Sequence, residues 1–166
     1  MGYFDGWRFC PLCGGDLVAT LDHLTCAACG ERYWPSSVPG AQAVIERDGE
    51  VLLGRRRNDP GAGRWDLPGG FLDEGEDALA ALHREIREET GLEVEVVEFL
   101  GTWNEAYWKR TVLCLTWRVR AVGGEERAGD DLVELRWFPA DERPYGDELA
   151  FATFEEILSV WESGLG

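Results

Sequence analysis

The sequence predicts an α/β sandwich built on a mixed sheet and preceded by a small cysteine-rich module. Three observations predict it. Four of the five cysteines fall as two Cys-x-x-Cys pairs, Cys10/Cys13 and Cys26/Cys29, near the start of the chain. Beyond a turn-rich stretch at residues 34–40, short β-branched and apolar runs recur with turn-formers between them. Among those runs, residues 76–90 and 147–162 carry apolar side chains at helical spacing. Strands and helices mixed in this way form layered α/β domains. The division expected is residues 1–37 for the cysteine module and 38–166 for the sandwich.

The chain has 166 residues, enough for one ordinary domain and a small appendage. Its eight tryptophans allow a sizeable core. No apolar run approaches the roughly 18 residues that span a membrane, and the start shows no basic segment leading into an apolar one. A cytoplasmic protein is therefore expected. The formal net charge is −16. It repels nucleic-acid phosphates, and an enzyme this acidic acting on an anionic substrate needs divalent cations to mediate.

After the module, residues 41–46 and 51–55 read as strands around a turn at 47–49. Residues 58–63 read as a loop, and residues 65–67 as a short strand ending at Pro68, Gly69 and Gly70. The helix expected over 76–90 places Leu79, Leu82 and Ile86 on one side. Glu76 and Asp77 suit its positive N-terminal end, and Gly91 suits the left-handed position past its C-terminus. Strands are expected at 93–103, 111–122 and 132–138, with a turn at 123–126 and a second long helix over 147–162.

The two cysteine pairs are separated by twelve residues. Each Cys-x-x-Cys turn aims two sulfurs at one point, and two such turns complete a tetrahedral thiolate set for a structural Zn²⁺. Four thiolates leave no open position for chemistry. A region this small buries little core, so zinc would supply folding energy directly. The competing reading is a set of free or redox-active thiols. A redox Cys-x-x-Cys would sit in a βαβ context, and none is present. His23 reads as a surface residue, and Cys114 stands apart in an apolar run.

Glu85, Glu88 and Glu89 are spaced i, i+3 and i+4, so they share one face of the expected helix. Three like charges there cost helix stability unless cations neutralise them. A rigid carboxylate cluster of this kind suits hard divalent ions; the alternative is a solvated acidic helix. Such ions neutralise phosphate oxygens and lower the pKa of a bound water. Arg84 could hold Glu76 or orient a cluster carboxylate, and the Gly69–Gly70 backbone could approach closely enough for a carbonyl to join the metal shell.

The segment from Gly70 through Glu76, Arg84, Glu85, Ile86, Glu88, Glu89 and Gly91 to Leu92 resembles the Nudix box, matching it at every fixed position. The approach through Trp65, Asp66, Leu67, Pro68, Gly69 and Gly70 resembles the same family. Similarity in pattern extends over about residues 38–140. It implies the Nudix α/β/α sandwich, dependence on Mg²⁺ or Mn²⁺, and water attack on a phosphorus of a diphosphate linked to another moiety. By position it implies Glu88 and Glu89 as metal ligands, Glu85 as ligand or general base, the Gly69 carbonyl as a further ligand, and Arg84 and Glu76 as supports.

The cysteine module followed by Tyr33, Trp34 and Pro35 resembles NADH pyrophosphatases. The Ser-Gln-Pro-Trp-Pro-Phe-Pro array of that group is absent from residues 101–109, which favours ADP-ribose as the first substrate expected. Phe71, Trp103, Tyr107 and Trp108 could stack on a base, or belong to the core. Arg55 or Arg56 could meet a phosphate. Glu105, Glu134, Asp141 and Glu142 are candidate bases outside the box. A small-molecule nucleotide partner is expected, without membrane association, and a homodimer is left open. From a different class, a nucleotide-sensing or nucleic-acid-binding regulator would need a basic module. The module instead sets Arg8 and Arg32 against Asp5, Asp16, Asp22 and Glu31. Hydrolysis of a nucleotide cap on RNA shares the chemistry, but the acidic chain argues against a long polyanion.

Overall fold

The computed structural model describes residues 4–164. The N-terminal module is a three-stranded antiparallel sheet of β1 (Leu17–Ala19), β2 (Leu24–Cys26) and β3 (Arg32–Tyr33). Its centre is the cysteine set, whose four sulfurs all lie within 4.8 Å of one another. Cys10 Sγ and Cys29 Sγ are 3.8 Å apart, and Cys13 Sγ and Cys26 Sγ 3.5 Å. Tetrahedral thiolates about 2.3 Å from one ion would be spaced by roughly 3.8 Å. The cluster is therefore compatible with structural zinc. His23 accompanies Asp22 at 2.7 Å and stacks on Trp34.

A second sheet forms the body of the chain. Its strands are β4 (Val38–Arg47), β5 (Glu50–Arg56), β6 (Trp65–Asp66), β7 (Gly69–Phe71), β8 (Leu92–Tyr107), β9 (Arg110–Gly124) and β10 (Leu132–Pro139). The main order is β10-β5-β4-β9-β8, with β6 on β5 and β7 on β4. Among the strand pairs of the described residues only β4–β9 is parallel, from Val38 opposite Val112 to Glu46 opposite Arg120. The sheet is therefore mixed, as the sequence predicts.

Alternation along the central strands sorts their side chains into two cores. Ala41, Ala43 and Ile45 of β4 and Leu52 of β5 face one side, against Ala81, Leu82 and Ile86 of α1 (Ala78–Thr90). Val44, Val51 and Leu53 face the other, against Phe154, Ile157, Leu158 and Trp161 of α2 (Thr153–Ser163). The result is an α/β/α sandwich. Among the described residues no helix is long and apolar enough to cross a membrane.

Several boundaries differ from those the sequence predicts. Helix α1 begins two residues late because the Asp77 carboxylate caps it, accepting from the backbone N–H groups of Leu79 and Ala80. Leu79 is exposed and Ala81 takes the core position. Gly91 does end the helix in the left-handed conformation, at φ 72°. Strand β8 continues past residue 103 to Tyr107, because it keeps pairing along β9 while Glu105 and Tyr107 face a cleft. The expected turn at 123–126 starts later, since Gly124 still pairs with Leu92. Val38 already pairs with β9, inside the stretch read as a linker. Helix α2 starts at Thr153, after a short 3-10 turn at Gly146–Glu148 and a bridge between Leu149 and Trp65.

Trp161 is 1 % exposed and donates its indole N–H to Glu46 at 3.2 Å. Trp161→Ala should lower unfolding free energy by about 3–5 kcal/mol, read by urea titration. A loss below about 1 kcal/mol would show that α2 does not form a core layer.

Candidate active site

The cleft opens where β4 changes neighbours. Its residues 45–47 pair with β5, and its residues 40–42 pair with β7. The gap between β5 and β7 exposes a cavity of about 290 Å³, bordered by α1 on one side and reaching Phe151, just ahead of α2. Gly69 builds the junction. Its φ is 154°, and a side chain there would run into the Ala41 carbonyl at 2.3 Å. This close approach lets the Gly69 N–H donate to the Glu89 carboxylate at 2.8 Å, tying β7 to the helix. A side chain on Gly70 would strike the Glu85 carboxylate.

Arg84 organises the outer half of the site. Its Nε and Nη2 donate to the two oxygens of Glu76 at 2.9 and 2.7 Å. Its Nη1 donates to Glu85 at 2.7 Å and to Glu88 at 3.3 Å, and Nη2 also reaches the Phe71 carbonyl at 3.2 Å. The fork geometry of a guanidinium makes this possible, and an ammonium could not reproduce it.

The carboxylates differ in environment. Glu88 is half exposed, whereas Glu89 is only 7 % exposed. Burial, then the Asp66 charge, push Glu89 well above the usual carboxylate range. Burial also raises Glu85, opposed by Arg84. Two further carboxylates arrive from the loop before β10. The Arg127 and Gly129 N–H groups donate to the Thr90 and Glu89 carbonyls at 2.9 Å, latching the loop to the end of α1. Asp130 and Asp131 then line the cavity.

Deeper in, Asp66 pairs with Arg56, and both side chains are 10 % exposed. Burial raises Asp66 to about 6 despite the Arg56 charge. Phe71 and Tyr107 line the cavity and meet edge to face, with centroids 5.4 Å apart. Glu105 lies on the inner wall, 6 % exposed.

The comparisons with known proteins fit this geometry. The model of the NUDIX domain matches residues 37–156. The chain belongs to the Nudix hydrolase family. An ADP-ribose pyrophosphatase of Methanocaldococcus jannaschii is 38 % identical over 126 residues, covering 73 % of this chain and 72 % of that protein. A NAD-capped RNA hydrolase NudC of Pseudomonas aeruginosa is 34 % identical over 82 % of this chain, which spans about half (49 %) of that relative's length. Among solved structures, a NUDIX hydrolase from Nitrosomonas europaea superposes with a TM-score of 0.80 at 23 % identity, covering 95 % of this chain and 93 % of that one.

Against the Nudix fold, the residues singled out in the sequence divide. Glu76, Arg84, Glu85 and Glu88 form one ion-paired cluster, and Gly69 and Glu89 are bonded beside it. Phe71, Tyr107 and Glu105 line the cleft. Arg55 does not. Successive strand residues point to opposite faces, so Arg56 enters the cavity while Arg55 turns outward onto Trp65 and Glu134. Trp103 packs on the core under α2 instead of lining the cleft. Trp108 sits exposed in the β8–β9 turn at φ 55°. Glu134 is taken up by Arg55, and Asp141 and Glu142 lie in a short 3-10 turn after β10, outside the cavity lining.

Sequence reasoning missed Asp66, Asp130 and Asp131. Strand parity could have found Asp66, since Trp65 beside it faces the core. Nothing local marks Asp130 and Asp131, which tertiary contacts bring to the cleft.

The Arg84 fork holds the Glu76 carboxyl down at about 2, against an ordinary value of 4.5. A depressed carboxyl contributes stability above its unfolded pKa and loses it as pH falls through the folded one. Glu76→Gln should therefore be destabilised relative to wild type at neutral pH, with the gap closing as pH approaches about 2. Thermal melts across that range check it, and a gap independent of pH would mean the ion pair contributes nothing.

Proposed function

We propose that this Nudix hydrolase cleaves the diphosphate bond of a nucleoside diphosphate linked to a further group, with ADP-ribose the first substrate to test. The observation that carries the reading is the meeting, in one cleft, of Glu85, Glu89, Asp130 and Asp131 with an arginine, Arg56, on the inner wall. The named activity of the M. jannaschii relative, most of whose length the chain covers, supports ADP-ribose in particular. A second reading, cleavage of a dinucleotide such as NADH or of a NAD-type RNA cap, draws support from the NudC relatives. The net charge of −16 weighs against an RNA substrate, and the acidic module weighs against a regulator.

The donor chemistry fits a hard divalent cation. The cluster offers oxygens alone, and burial and mutual repulsion disfavour its charged state without a counter-ion. The carboxylates are spread more widely than the cysteine thiols, the set that among the described residues converges within 4.8 Å. A spread oxygen set in an open cleft suits Mg²⁺, which keeps part of its water shell, or Mn²⁺. Glu88 and Glu89 would hold it, joined by the Gly69 carbonyl, which leaves Glu85 beside the ion as the base. Bound there, the ion would neutralise phosphate oxygens and acidify a coordinated water.

The chain's own residues do the rest. Arg84 and Glu76 brace the cluster. Glu85, made more basic by burial, accepts the proton of the attacking water as its oxygen bonds to phosphorus and the bridging P–O bond breaks. Arg56 neutralises the buried Asp66 carboxylate on the inner side, and Phe71 and Tyr107 offer apolar faces to the remainder of the substrate. Residues 1–37 are a zinc ribbon and residues 38–166 the catalytic domain. A cytoplasmic location follows from a nucleotide substrate and reduced thiols.

Phosphate-coupled turnover on ADP-ribose, NADH, NAD⁺, diadenosine polyphosphates, FAD and nucleoside triphosphates, with and without Mg²⁺, tests the reading. Metal-dependent cleavage of ADP-ribose with the highest kcat/KM is expected, and silence across the panel would overturn it. Glu88→Gln and Glu89→Gln should each reduce kcat by more than the roughly 10- to 100-fold expected for a residue that only braces a ligand. Near-normal turnover in both would remove them from the metal site. Protein purified without chelators should carry one zinc per chain, lost in Cys26→Ser; a metal-free wild type would refute the ribbon.

A further inference from the structure

The inner wall of the cleft carries a carboxylate that the hydrolytic cluster does not use. Glu105 extends from β8 and is 6 % exposed. Thr153, the first residue of α2, donates its hydroxyl to Glu105 Oε1 at 2.9 Å. Gln42 of β4 donates its amide to the same oxygen at 3.5 Å and to Thr116 of β9 at 3.0 Å. Gln42 and Thr116 are themselves buried, at 6 % and 0 % exposure. Four elements thus fix one side chain in one orientation. Both of these bonds fall on Oε1, and the Cys114 thiol also bonds the carboxylate; each carboxylate oxygen has about two acceptor sites, so room for a further donor remains.

Two facts restrict what this wall can take. Arg56, the arginine within reach of Glu105, is already paired with Asp66. The wall therefore holds no spare positive charge, and a phosphate would meet the buried acids unscreened. Phe71, Tyr107 and Phe151 surround the polar patch with apolar area. A neutral group bearing hydrogen-bond donors satisfies both conditions, and an anionic one satisfies neither. Burial raises the Glu105 carboxyl, with Thr153, Cys114 and Gln42 opposing.

We infer that Glu105, held by Thr153 and Gln42, is a specificity-determining residue that accepts a hydrogen bond from a hydroxyl or amino donor on the uncharged part of the substrate. The inference rests on the diphosphate-hydrolase reading and assigns the end of the cleft that the substrate's neutral moiety occupies. A site built around a buried acceptor rejects an analogue lacking the donor, because the acceptor is then left unpaired. Hydroxyl and amine are distinguished by the substrate pair that responds.

The test compares kcat and KM for ADP-ribose, for its analogue lacking a hydroxyl on the terminal ribose, and for IDP-ribose, which lacks the adenine amine. Wild type, Glu105→Gln and Thr153→Val are each measured, with thermal melts confirming that the variants fold. Wild type should prefer ADP-ribose over one of the two analogues by roughly 10- to 100-fold. Glu105→Gln should erase most of that preference by raising KM for ADP-ribose while leaving the rejected analogue nearly unchanged. Thr153→Val should move the same ratio in the same direction, less strongly. Response of the deoxy pair assigns the donor to ribose, and response of the inosine pair assigns it to the base. An equal fall in kcat for all three substrates would overturn the inference and make Glu105 the general base. Unchanged ratios in both variants would overturn it as well. A wild type that cleaves none of the three would overturn ADP-ribose as the substrate and this inference with it, an outcome distinct from the other two.

Discussion

The structure depends on keeping negative charges crowded and partly dry. Glu85 and Glu89 stand on one helix, with Asp66, Asp130 and Asp131 around them. Removing carboxylates from water costs several kcal/mol each unless something offsets it. The offsets found here are a bidentate guanidinium on Glu76 that also reaches Glu85 and Glu88, a backbone N–H on Glu89, and a second arginine on Asp66. Much of the fold exists to present those groups. Gly69 is extended at positive φ so that its N–H reaches the helix, and the loop before β10 is latched to the end of α1.

The compensation is incomplete at the cleft, and that has a functional sense. Raised carboxyls are the mark of a site waiting for a positive partner, or of one that must accept a proton. The outer cluster meets the first description in its open arrangement of oxygens. The inner wall differs: Glu105 is saturated on one oxygen by neutral donors and faces apolar rings. On the proposed reading one cleft holds two chemistries, a cation-seeking acidic mouth and a donor-reading interior. The sandwich separates them by placing α1 on one side of the sheet and the start of α2 on the other.

The cysteine module follows a different logic. Its three short strands bury little apolar surface, and Trp7, Phe9 and Leu12 are exposed. What holds its centre together is the convergence of four sulfurs, a geometry that a tetrahedral ion would lock. The body of the chain needs no such device, because two apolar layers flank its sheet.

Local patterns in the sequence determined the elements and most of the cluster. Spacing places Glu85, Glu88 and Glu89 together on a helix, Gly91 ends it by conformational necessity, and the paired Cys-x-x-Cys turns imply one centre. These are short-range consequences of helix pitch and turn geometry. Tertiary structure decided what depends on facing and on distant chain. Strand parity put Arg56 in the cleft and Arg55 outside it. Trp103 went to the core while Glu105, two residues on, went to the cavity, because the sheet outlasts the helix that covers it. Asp130 and Asp131 gained a place only when their loop met the end of α1. A polar strand end such as residues 104–107 reads as loop in one dimension, since nothing local tells a cleft wall from solvent.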